Sequence, residues 1–282
     1  KIIRTNIEKK VKAELLKLME SDAEKYETFF KSFGTQLKYG IVNGYGVNKD
    51  LLSDLIMFYS SKEQKLVPVS GYVKNMPEEQ KYIYYACGES IGILDKLPQA
   101  EQVRERGYEI LYLTDSVDEF VVKTLGKFEE REFRSVNDDD LGLESEDEKK
   151  DSEQQETESR ELLDFIKESL DGKVAAVKLS RKLKSHPACL ATQGGVSLEM
   201  ERYFASLQGE GPEGVKAERV LELNAAHPVF ESLKKSFDRD RDRASRFAQL
   251  LYDQALIFAG LQIEDPAKFS ELVCELMAAS GD

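Results

Sequence analysis

Through the first forty residues, apolar positions recur three and four apart. Ile7, Val11, Leu15 and Leu18 make one series; Tyr26, Phe29, Phe30, Phe33 and Leu37 make a second. This spacing predicts two amphipathic helices. Gly40 and the "NGYG" at 43–46 interrupt it, and "NKDLLSDLIMFYSS" predicts a further short helix with Asn48 as N-cap. From Leu66 the texture changes. "KYIYYA" and "YEILYLT" (108–114) read as apolar strands around a helix, "LPQAEQVRERG", that Gly107 closes. "DSVDEFVVKTLGKF" predicts a helix capped by Asp115 or Ser116, and "REFRSV" (131–136) a third strand. Strand, helix, strand, helix, strand implies a small α/β layer with parallel strands.

Residues 137–161 break the pattern. They hold twelve acidic against three basic side chains, about nine of the thirteen net negative charges of the chain. So polar a stretch buries too little apolar surface to fold alone, which predicts a linker over 137–154 and then the exposed start of a helix, "ESRELLDFIKESL". Beyond it, "KVAAVKLS", "PACLAT" and "RVLELN" read as strands. "VSLEMERYFASL", "HPVFESLKKSF", "RDRASRFAQLLYDQALIFAG" and "DPAKFSELVCELMAAS" read as helices. The expected class is therefore α+β and α/β. Helices occupy 1–60, a small three-layer αβα unit 66–136, and a mixed α/β domain 155–282 that ends in a helical hairpin.

At 282 residues, two or three cores are expected. A formal charge of −13 argues against nucleic acid or an anionic membrane as main partner, because neutralising phosphates takes clustered Lys and Arg. Cys87, Cys189 and Cys274 form no CxxC pair, so neither a disulfide framework nor a common zinc site is expected, and a reducing compartment is. No apolar run has the length of a membrane span, and no signal peptide is evident. The chain opens without Met inside a helical pattern, as an excised fragment would.

"YYACGES" places a thiol, a carboxylate and a hydroxyl together at Cys87, Gly88, Glu89 and Ser90. A nucleophilic cysteine needs a base, and the two histidines, His186 and His227, lie far off, each followed by Pro. The structural alternative is a strand end, where Gly88 releases the chain and Ser90 caps the next helix. A small-molecule or nucleotide enzyme would use the strand ends near Gly88, Glu89 and Thr114, yet no P-loop or GxGxxG is present.

Two other places stand out. Val196, Met200, Tyr203, Phe204 and Leu207 line one face of a helix bracketed by "TQGG" and "QGEGPEG". Such a stripe either packs into a core or stays partly exposed as an adaptable Met and aromatic surface. In the terminal hairpin, Phe247, Leu250, Leu251 and Phe258 face one way, and Phe269, Leu272, Val273, Leu276 and Met277 follow the same rule. Asp265 and Pro266 suit the N-cap and first positions of the last helix. Either the domain covers these faces or a second copy does, as a four-helix bundle about a twofold axis.

The motifs "IIRTNIEKK", "YYACGES", "RERGYEILYLTDSVDEF", "SHPACLAT", "LEMERYF", "LELNAAHPV" and "LLYDQALIFAGLQIEDPAKF" together resemble the heat-shock protein 90 chaperones, especially their bacterial branch. The likeness runs in order over nearly the whole chain and is weakest in the acidic stretch. It implies that 1–136 is the later part of a middle domain and 155–282 a C-terminal dimerisation domain. It also implies that the ATP- and Mg-binding domain and the middle-domain arginine that contacts ATP lie outside these residues, so catalytic residues, cofactors and metal are not expected here. Met200, Tyr203 and Phe204 would contact partly folded client proteins, with Val196 and Leu207 at the ends of the stripe. Val196 stands where relatives often carry a second Met, which puts its role in doubt. The terminal hairpin would form the homodimer bundle. The ending "MAASGD" lacks an acidic Met-Glu-Glu-Val-Asp tail, so tetratricopeptide co-chaperones are not expected. The resemblance implies a cytoplasmic location.

Overall fold

A computed structural model of the chain describes residues 2–207 and 215–279. Its helices are α1 (Ile2–Ser21), α2 (Ala23–Val42), α3 (Lys49–Leu52), α4 (Val69–Asn75), α5 (Ile91–Leu94), α6 (Glu101–Glu105), α7 (Asp118–Leu125), α8 (Glu146–Glu158), α9 (Arg160–Ser169), α10 (Leu198–Ser206), α11 (Pro228–Arg239), α12 (Arg241–Phe258) and α13 (Pro266–Ala279). The strands are β1 (Met57–Ser60), β2 (Leu66–Pro68), β3 (Tyr82–Cys87), β4 (Leu111–Leu113), β5 (Lys127–Phe128), β6 (Arg131–Ser135), β7 (Ala176–Leu179), β8 (Ala188–Gln193) and β9 (Glu218–Leu223). The mixed α and β class expected from the pattern is what the chain adopts. None of the described helices is long and apolar enough to cross a membrane.

Two compact units divide the chain. One comprises 1–91 with 107–136, the other 92–106 with 137–282. The stretch between β3 and β4 therefore belongs largely to the second unit, although sequence order places it inside the first layer.

In the first unit a six-stranded sheet runs β2-β1-β4-β3-β6-β5. The three strands read from the sequence, β3, β4 and β6, pair in parallel at its centre. Ile83, Tyr84, Tyr85 and Ala86 are all buried, as expected of a strand covered on both faces. α2 begins at Asp22, whose carboxylate accepts the Lys25 N–H at 3.1 Å, and it turns Tyr26, Phe30 and Ile41 into the core. Gly107 and Gly126, at φ +69° each, end the turns after α6 and α7 in a conformation open to glycine.

Residues 48–60 differ from expectation. Helix α3 covers only Lys49–Leu52, and β1 follows, paired antiparallel with β2 and β4. A 3-10 turn over Ser53–Leu55 ends the helical part, and the consecutive residues Met57 and Phe58 of β1 are both buried. A strand covered on both faces accommodates such neighbours; a one-sided helix does not. Asn48 makes no side-chain cap and instead donates from Nδ2 to the Gly40 carbonyl at 3.3 Å. Nor do Asp115 or Ser116 cap α7, which starts at Asp118 after Val117.

The second unit carries a three-stranded sheet, β7-β9-β8, with β7 and β9 parallel and β8 and β9 antiparallel. Its core joins Leu162, Leu163 and Ile166 of α9, Leu190 and Leu221 of the sheet, and Phe230 and Leu233 of α11. α12 adds Leu251, Tyr252, Ala255 and Leu256 to the same core. The acidic stretch has structure of its own: Ser145 and Glu148 form a reciprocal capping box, and α8 runs from there to Glu158. Asp265 caps α13 through the Lys268 N–H at 3.0 Å, with Pro266 in the first position as its sequence indicates.

Candidate functional site

At "YYACGES" the strand-end reading is supported by the backbone. β3 carries Cys87 beside Leu113 of β4, and the Gly88 N–H donates to the Leu113 carbonyl at 3.1 Å. A phosphate at these strand ends would need free backbone donors, and the one at Gly88 is already committed. His186 Nδ1 lies 2.6 Å from Glu101 Oε1, and His227 Nδ1 accepts the Val229 N–H at 3.2 Å. Both rings thus serve local structure. Among the described residues, no three His, Cys, Asp or Glu side chains gather closely enough to hold a metal ion.

Thr114 lines a 230 Å³ cavity with Lys38, Asp115 and Asp118. Lys38, 5% exposed, projects from α2 between the Phe30 and Phe58 rings and reaches Asp115 and Asp118 at 2.7 Å each. Burial pushes the Asp118 carboxyl up to about 6, and the nearby Lys38 charge only partly opposes that. The cluster fastens α7 to α2. The raised value follows from burial, which the ion pair to Lys38 only partly offsets.

A second buried polar group sits on the three-stranded sheet. Lys182 Nζ lies 3.0 Å from Glu222 Oε1 and donates to the Asn137 and Asp138 carbonyls at 3.2 Å each. Ser180 Oγ donates to Glu222 Oε2 at 2.8 Å. Burial and then the Glu222 charge raise the Cys189 thiol well above its ordinary range, which makes it a poor nucleophile.

α10 is where the sequence-derived contact residues come together. Gly194 and Gly195, both at positive φ, lead to Ser197, whose hydroxyl accepts the Met200 N–H at 3.1 Å. Met200 is 8% exposed, whereas Val196, Tyr203, Phe204 and Leu207 are half-buried. The Tyr203 and Phe204 rings meet edge to face, with centroids 5.6 Å apart. The charged face anchors the helix. Glu201 accepts the Ala217 N–H at 2.9 Å, and Arg202 pairs with Glu199 at 2.8 Å while reaching the Ala259 and Gly260 carbonyls. Neither anchor was singled out in the sequence, because both partners lie distant along the chain. The segment "QGEGPEG" lies outside the described residues.

In the terminal hairpin the candidate residues separate. Leu250, Leu251 and Leu272 are buried within the single chain. Phe247, Phe258, Phe269, Val273 and Leu276 are half-buried, and Met277 is 69% exposed. Ile257, beside Phe258 near the end of α12, is 49% exposed. α13 packs against α12, and Arg246 lies 3.7 Å from Glu275 across the pair. The chain thus covers part of this apolar surface itself and leaves the rest open.

The segment between β3 and β4 is fixed to the second unit by Glu101. Its carboxylate accepts the Lys184 N–H at 2.6 Å and the Ser185 N–H at 3.1 Å, and it meets the Ser185 hydroxyl and His186. Burial alone would raise this carboxyl, yet these four donors outweigh it and hold it at about 2. Gln99 adds a 2.6 Å bond to the Leu190 carbonyl.

Comparison with known proteins agrees in family. The family model described as "Hsp90 protein" matches residues 1–281. "Chaperone protein HtpG" of Bacillus subtilis (strain 168) is 49% identical over 277 residues, and that of Alkaliphilus oremlandii (strain OhILAs) 48% over 277. "Chaperone protein HtpG" of Clostridium acetobutylicum is 50% identical over 277 residues. Each alignment takes in 98% of this chain, and the chain spans 44% of the length of these relatives. With a family match over all but one residue and that level of identity, the chain belongs to the Hsp90 family.

Proposed function

We propose that this chain serves a molecular chaperone by pairing two protomers and holding partly folded client proteins on α10. The observation that carries this reading is the unequal burial along one stripe: Met200 seats the helix, while Tyr203 and Phe204 are only partly buried. Aromatic side chains left in that state offer non-directional affinity, and complete burial of one is worth about 1.5–3 kcal/mol. Two such helices in a dimer would present two apolar surfaces to one client, which raises avidity without any new contact. The exposed side chains Ile257 and Met277 support a second copy on this face of the hairpin.

On this reading residues 1–136 are the later part of a middle domain, 137–154 the acidic connection and 155–282 the dimerisation domain. On the same reading ATP and magnesium act elsewhere in the intact protein, as the family resemblance implies. The place of work would be the cytoplasm. Suppression of aggregation of a chemically denatured substrate tests the reading. Tyr203→Ser with Phe204→Ser should lower suppression several-fold while the protein stays folded. Equal suppression by both proteins refutes the placement on α10.

A further inference from the structure

The chain contains one Asn-Gly pair, Asn43-Gly44, just past the end of α2 in the first unit. Each of the other five asparagines precedes a residue that carries a side chain: Ile7, Lys49, Met76, Asp138 or Ala225. Asn43 and Gly44 are both exposed. The Asn43 backbone N–H closes α2 on the Tyr39 carbonyl at 2.8 Å. Among the described residues, however, the Asn43 side-chain amide makes no hydrogen bond, and neither does the Gly44 N–H. Asn48, by contrast, donates to the Gly40 carbonyl, and Asn224 to those of Lys184 and His186.

We infer that Asn43 is a self-acting modification site, converted to aspartate and isoaspartate by attack of the Gly44 nitrogen, and that the product loosens the last turn of α2. The Gly44 N–H gives its proton to a solvent base, and the nitrogen bonds to Cγ of Asn43. The bond from Cγ to Nδ2 breaks and ammonia leaves. Water then opens the cyclic imide, at Cγ to give aspartate or at the backbone carbonyl carbon to give isoaspartate. Water is consumed and ammonia released, with no oxidant or reductant.

Ring closure must turn Asn43 from its extended ψ of 137° until Cβ eclipses the Gly44 nitrogen. Little resists that turn. The Val47 N–H reaches the Gly44 carbonyl at 3.4 Å, beyond ordinary hydrogen-bond length. A Cβ on Gly44 would meet nothing within 4 Å, and the Tyr45 side chain is fully exposed. Tyr45 also holds a left-handed φ of 56°, a strained state for a bulky residue that opening relieves. The product places a carboxylate at the C-terminal pole of α2, where the helix dipole disfavours an anion. Isoaspartate also adds a carbon to the backbone beside the bond that closes the helix. Lys38 and Ile41, shortly before it, are buried, so the change bears on the core of the first unit.

The site is independent of the proposed chaperone role and is tested without it. Folded protein is incubated at mildly alkaline pH and its peptides are followed by mass spectrometry, with isoaspartate detected by enzymatic methyl transfer. Asn43 should lose its amide first, while Asn6, Asn75 and Asn224 keep theirs. Gly44→Ala should slow the loss roughly tenfold, equivalent to a barrier about 1.4 kcal/mol higher. Amide hydrogen exchange at 39–42 should quicken in the modified protein, and Asn43→Asp should reproduce the part due to charge. An amide at Asn43 as durable as that of Asn6 overturns the inference, and so does an unchanged rate in Gly44→Ala. Unaltered exchange at 39–42 after modification overturns its second half.

Discussion

Arg202 Nη2 donates to the Gly260 carbonyl at 3.0 Å and to the Ala259 carbonyl at 3.2 Å. The candidate contact helix is thereby held on the C-terminal end of α12, where unpaired carbonyls and the helix dipole favour a cation. Arg202→Ala should cost about 1.5 kcal/mol, as for a hydrogen bond from a charged group. Amide exchange should quicken through 198–206 while α9 keeps its protection. Unchanged exchange in α10 would show that Glu201 and the apolar contacts suffice.

Lys38 and Asp118 should be strongly coupled. Lys38→Ala leaves a carboxylate buried without its partner, and the expected loss is about 3–5 kcal/mol at pH 7. Lys38→Met combined with Asp118→Leu should recover most of it. The pH dependence has a definite sign. The Asp118 carboxyl titrates at about 6 when folded, above its ordinary 3.8, so between these values the folded chain binds the extra proton. Its contribution is complete below the lower value and declines as pH rises through 6. Urea denaturation from pH 4 to 7 should show that decline in the wild type and a flatter profile in Asp118→Asn.

Glu101 should behave in the opposite sense. Its folded value of about 2 lies below the ordinary 4.5, so its stabilisation is present above 4.5 and is lost as pH falls toward 2. Glu101→Gln should destabilise the chain by about 2 kcal/mol at pH 7. That deficit should shrink as denaturation is followed from pH 5 down to 3. A constant deficit would mean that packing of the side chain, without its charge, carries the effect.

The dimer surface is testable without disturbing the core. Ile257→Glu and Met277→Glu alter exposed positions, so each protomer should keep its melting temperature while light scattering shows the mass falling to that of a single chain. Leu251→Glu, buried in the core of the second unit, should instead prevent folding. A wild type that is already monomeric at micromolar concentration would remove the proposed bundle.

The parallel strands, the caps of α13 and the stripe on α10 were legible because each depends on residues close along the chain. The Tyr82–Cys87 run needs only its own apolar continuity, and Asp265 with Lys268 only three residues of separation. In the 48–60 segment local propensity and short period favour a helix, while β4 supplies a ladder partner some fifty residues away. In the acidic stretch composition points to a connection and hides a reciprocal cap such as that of Ser145 and Glu148.

The sequence by itself determined the family, most of the element types and which side chains are apolar at regular spacing. Tertiary structure decided how those apolar positions divide, burying Leu250, Leu251 and Leu272 within one chain and leaving Ile257 and Met277 open. It also brought Glu101 to Ser185 and Lys38 to Asp118, pairs separated by more than seventy residues. Local pattern records what a helix face can bury. Only the completed packing fixes what remains in contact with water, because burial depends on neighbours that chain folding delivers from afar.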